Sequence, residues 1–243
     1  MFSPRPGKAL LPAPWAQLLS VAIGVVPLYL LAFLSGLEEF RQPTVADTLQ
    51  MLFVNTLLFT ALLVFLLYVV CGESFQNLQL KPATVLADLN HGVALCWVLL
   101  GAQLVFGLLL KLVIAPEIPP SNLMIARALA GDTSLMLLWL GPVVWLQAAW
   151  LEEFSRVFLL SRLWQVWPSR TARWSVLVIA AAAFGLGHLY QGLLGVAGTM
   201  LIGLVLGWSY LTHGRLLPLI VAHGLYNTVI LLVLLACVGT ESA

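Results

Sequence analysis

Charge is what this 243-residue chain has least of: 11 Lys and Arg and 10 Asp and Glu, only 9% of its residues. An ordinary soluble domain carries roughly 25%. A chain this poor in charge cannot cover a water-facing surface, so lipid must be its main solvent. The balance of +1 also provides no basic patch to neutralise phosphates, which excludes nucleic acid as a partner. Cysteine is scarce too. Cys71, Cys96 and Cys237 lie scattered in or beside apolar runs. An odd set without metal spacing excludes a disulfide framework, and the three read as small buried hydrophobes. Internal repeats and low-complexity segments are also lacking.

What the chain has instead is apolar length. Hydrophobic residues make up 61%, gathered into seven stretches at 15–36, 49–71, 92–114, 134–164, 174–190, 192–212 and 216–237. A bilayer crossing takes about 20 such residues. Open strand edges are not tolerated in lipid. The expected fold is therefore an all-α, polytopic integral membrane bundle of about seven transmembrane helices, with six to eight as the range. The first stretch is long and has no clean small-residue cleavage site, so it reads as a helix rather than a signal peptide.

The acids Glu38, Glu39, Asp47, Glu73, Asp88, Glu117 and Asp132 fall between the stretches. With a cytoplasmic N-terminus, the inner segments carry Arg5, Lys8, Lys81, Arg162, Arg170, Arg173 and Arg215, against Arg41 and Arg127 outside. That bias supports a cytoplasmic N-terminus. Residues 1–130 hold three helices of aliphatic and aromatic filler without visible chemistry. A Pro-rich link at 115–133 leads to a polar four-helix core at 131–236 and a tail at 237–243.

Ionisable groups within a span are costly and mark function by default. Glu152, Glu153 and Arg156 lie in the run Trp-Leu-Glu-Glu-Phe-Ser-Arg. Glu152 and Arg156 are one turn apart, which predicts a pair between them, with Glu153 about 100° round the helix and free to point elsewhere. His188 closes the fifth stretch after a run of small residues. His223 and Asn227 share one face of the seventh. Each set has a bland alternative: a packing ion pair, an interfacial histidine, a hydrogen-bonded link between two helices. Depth speaks against coincidence. At 1.5 Å per residue, Glu152 lies about 18 Å from Trp164, His188 about 21 Å from Trp174, and His223 and Asn227 about 8 and 14 Å from Pro218. The groups can meet in one cavity. His91 and His213 border loops and are assigned to solvent or the interface.

This set offers no side-chain nucleophile. Ser155 has no histidine near it in sequence. The set suits activation of water: a glutamate withdrawn from water as general base, one histidine sharing the water or protonating the leaving amine, and a second histidine with an asparagine amide stabilising an oxyanion. That is amide hydrolysis. Zinc held by His188, His223 and Glu152 is the alternative, without the His-Glu-x-x-His signature; no metal or other cofactor is favoured.

The run Glu152-Glu153 with Arg156, Phe184-Gly-Leu-Gly-His188, and His223-Gly-Leu-Tyr-Asn227 resembles the CPBP family, also called ABI, which includes the CAAX prenyl endopeptidases. The likeness covers about 131–236. The family usually places three residues between the Glu pair and the Arg, and here only Phe154 and Ser155 intervene. The resemblance implies an intramembrane endopeptidase with lipid and a membrane-proximal peptide or protein as partners. It also implies Glu152 as base, with Glu153 and Arg156 in support. The rival readings are a non-catalytic immunity or scaffold protein that keeps the fold, and a transporter, which the plain first half disfavours.

Overall fold

The structure is a computed structural model that describes residues 13–37, 50–74, 85–113 and 120–241. Arg5, Lys8, Arg41 and Lys81, and the acids Glu38, Glu39, Asp47 and Glu117, lie outside the described residues. Nine helices and no strand are found among those described. Helices α1 (Ala13–Gly24) and α2 (Val26–Leu37) form one span broken at Val25. They are followed by α3 (Leu52–Val70), α4 (Val85–Val113), α5 (Pro120–Ala130) and α6 (Thr133–Val166). The series closes with α7 (Arg170–Leu186), a 3-10 turn at Leu189–Gln191, α8 (Gly192–His213) and α9 (Leu217–Glu241).

Six spans are long and apolar enough to cross a bilayer. The remaining apolar stretch forms α7, which has 17 residues and is about 25 Å long at 1.5 Å per residue, short of the roughly 30 Å hydrocarbon core. Ser169 starts it, accepting from the Ala172 backbone N–H at 3.2 Å, and it stops at Leu186, before His188. Among the described residues the bundle is thus six full spans and two shorter helices, α5 and α7. The Pro-rich link is also not a plain spacer: Pro120 opens α5, a first-turn position that needs no N–H.

The second half of α6, from Glu152, runs through the centre of the bundle, with Phe154, Val157, Phe158 and Leu160 wholly buried. Helices α1 and α7 pack against it, α4 runs along α9, and α8 lies on α7. The α7–α8 approach depends on missing side chains: a Cβ on Gly203 would stand 3.2 Å from the Ala181 backbone, and one on Gly207 would strike Leu177. These small residues are used inside one chain. The outer faces stay apolar, as Leu104, Leu108 and Leu112 on α4 show, which suits contact with lipid.

Three sequence expectations change here. Arg162 is not a loop cation: it is fully buried and donates to Glu73 Oε2 at 2.7 Å, while Gln165 donates to Glu73 Oε1 at 3.0 Å. Asp88 and Glu73 are likewise buried, and Asp88 pairs with Arg215. In a low dielectric a buried charge persists only when paired, so these two pairs join distant parts of the chain. Cys71 and Cys96 are buried as expected, but Cys237 is exposed on the outside of α9. His91 and His213 pack edge to face, with ring centroids 4.4 Å apart.

Candidate active site

Helix α6 carries the acids just after a wound-out stretch. Trp139–Leu151 is π-helical and contains Pro142, and regular α-helix resumes at Glu152. Such widened turns gather at functional sites. Glu153 is completely buried and Glu152 is not: its side chain is 27% exposed, into a cavity of about 540 Å³.

The expected Glu152–Arg156 pair does not form. Arg156 Nη1 donates instead to both oxygens of Glu153, at 2.5 and 2.6 Å, a pairing three residues apart. Three- and four-residue spacings share a helix face, and Glu153 is held by a second group. His223 Nδ1 lies 2.7 Å from Glu153 Oε1. A carboxylate only accepts, so Nδ1 carries the proton and donates. Arg156 also lies flat over the Phe184 ring, 4.1 Å from its centre, which covers the cation's other side. The Glu-Glu pair, with only Phe154 and Ser155 before the Arg, thus still yields a buried acid–arginine pair.

His188 sits just beyond the end of α7. Its Nδ1 is 2.9 Å from the Phe184 carbonyl, again an acceptor, so Nδ1–H donates and the ring orientation is set. Phe184 touches both histidine rings edge-on, with centroids 4.7 Å from His188 and 6.3 Å from His223. Both rings turn Nε2 toward Glu152: His188 Nε2 is 4.0 Å from Oε1 and His223 Nε2 is 3.8 Å from Oε2. Asn227, one turn along α9 from His223, lines the same cavity. The structure therefore brings Glu152, His188, His223 and Asn227 to one cavity wall and places Glu153 and Arg156 behind them. Ser155 is turned away, its hydroxyl donating to the Glu152 carbonyl at 3.0 Å.

For zinc, three ligands must converge at about 2.0–2.3 Å from one point. Among the described residues no group of three His, Cys, Asp or Glu side chains does so, the set His188, His223 and Glu152 included.

Residues 134–229 match the family model described as type II CAAX prenyl endopeptidase Rce1-like. This segment is similar to the CPBP, or CAAX-protease, family. The match spans 96 of 243 residues and contains all six motif residues, so what this segment resembles is a CAAX-protease-like membrane endopeptidase. No curated protein and no solved structure matches the chain.

Part of the site lies outside the CPBP segment, and the sequence reading missed it. Ala32 and Ser35 of α2 line the cavity, so the first span is not filler. Tyr29, one turn before Ala32, points its hydroxyl into the core beside Ser155, within electrostatic reach of Arg156 and Glu153. That hydroxyl is buried without a hydrogen bond of good geometry. Within the segment, Gln147, Tyr190 and Tyr226 also line the cavity. A lone Tyr or Gln among apolar neighbours carries no spacing signal.

Proposed function

We propose that the chain hydrolyses a peptide bond by a water activated at Glu152, without a side-chain nucleophile. The observation that carries this reading is the pair of gaps between Glu152 and the two Nε2 atoms, 4.0 and 3.8 Å wide. They are too long for direct hydrogen bonds and leave Glu152 and the two rings free to share a water. Glu152 takes a proton from that water as it attacks the carbonyl carbon. His188, its Nδ1–H held by the Phe184 carbonyl, takes that proton from Glu152 at Nε2 and passes it to the leaving amine as the carbon–nitrogen bond breaks. His223 is steadied at Nδ1 by Glu153, whose charge is balanced by Arg156. The Asn227 amide, beside the His223 ring, holds the oxyanion, a contribution of about 10²–10³ in rate for one such donor.

The apolar cavity walls fit a substrate presented from the membrane. The test uses purified full-length protein in liposomes, with prenylated Cys-aliphatic-aliphatic-X peptides beside unprenylated membrane-tethered peptides. Glu152→Gln and His188→Ala are expected to lower kcat about 10²–10⁴-fold, the usual worth of a positioned acid or base, and cleavage is expected to persist with a zinc chelator. Loss of cleavage to chelator would refute the metal-free mechanism. No cleavage by folded wild type on any peptide would favour a binding or immunity role.

A further inference from the structure

We propose that Gln147 is a specificity residue of this site, reading one backbone N–H of a substrate held as an extended chain beside the scissile bond. This rests on the protease reading above and names how the substrate must be presented.

The placement comes from the widened helix. The cavity-lining residues of α6 below Trp139 are Val143, Val144, Gln147, Ala148 and Glu152, spaced by four and five. A regular α-helix repeats a face every three or four residues. The π pattern, with its i→i+5 bonding, carries Gln147 onto the wall above Glu152. Its carbonyl Oε1 is buried and accepts no hydrogen bond. Two other neutral side chains of the cavity are engaged elsewhere: the Thr199 hydroxyl donates to the Gly195 carbonyl at 2.8 Å and the Gln191 amide to the Tyr190 hydroxyl at 3.0 Å.

An unpaired amide oxygen in such a wall is costly, and an occupant of the cavity can supply the donor. A peptide that shows its carbonyl to Glu152 must leave helical bonding at that point. Its own N–H groups then lose their partners, where no bulk water replaces them. Acceptor and donor are thus left unpaired in the same place, and pairing them selects substrates that unwind at the cut.

The experiment takes a peptide that wild type cleaves and replaces each backbone amide, except the scissile one, by an ester in turn. Each ester removes one N–H. One position flanking the cut should lower kcat/KM roughly tenfold in wild type, as expected for leaving a buried acceptor unpaired. That ester should cost nothing in Gln147→Met and should cost again in Gln147→Glu, which keeps an acceptor. The profile is a ratio within one protein, so a smaller folded fraction does not shift it; if Gln147→Met is inactive, the Gln147→Glu profile decides. An unchanged profile in Gln147→Met, or no ester effect in wild type, overturns the subsite while the protease reading stands. No cleavage of any peptide by folded wild type overturns both.

Discussion

Two neighbouring carboxylates on α6 meet different surroundings, and that difference divides their work. Glu153 is wholly buried between Arg156 and His223, whereas Glu152 faces the cavity. Removing one partner of a buried pair typically costs about 3–5 kcal/mol, so Arg156→Met should sharply lower the melting temperature in detergent. Adding Glu153→Leu should recover much of that stability, because no charge is then left alone. Activity should not return with it, since His223 loses the acceptor at Nδ1. Stability that fails to recover in the double variant would contradict this account. The chain's motifs pointed to all four of these residues, but not to which acid takes the arginine. Glu152 and Glu153 both lie within one turn of Arg156, and the choice is made by His223, 70 residues away. Gln147 was illegible for another reason: its place on the cavity wall depends on a π register that apolar patterning does not reveal.

Helices are held at the site by close backbone approach as much as by polar contact. Helix α8 presses on α7 through Gly203 and Gly207, and α7 carries Phe184 and ends just before His188. Gly207→Leu should therefore push α7 away, at the roughly 1–3 kcal/mol of an overpacked core. Activity should fall more than stability does, read as kcat beside the melting temperature. Equal loss in a control such as Gly101→Leu, where a Cβ meets nothing within 4 Å, would show that α7 is not set this way. Apolar runs located the spans well and misjudged their ends where charge is neutralised in space. Helix α4 begins at Val85, well before the apolar stretch at 92, because Asp88 there is paired with Arg215. A carboxylate alone in sequence looked like a loop.

Across the whole molecule the apolar first half shares the site with the polar second half. Helix α2 supplies Ala32 and Ser35 to the cavity, and Glu73 after α3 holds Arg162 of α6. Residues 131–243 expressed alone should be inactive in the liposome assay, and co-expression with 1–130 should restore cleavage. An active isolated fragment would show that the first three spans are dispensable. The division at 130 follows composition, while the contacts run across it, which no reading along the chain could show. His223 and Asn227 stand on α9, behind the other described spans in order of synthesis. A ribosome must deliver that helix before any water can be held between Glu152 and His223. Under the proposed mechanism, a nascent chain that has not yet reached α9 lacks one wall of the site and is harmless to the insertion machinery and to neighbouring polypeptides.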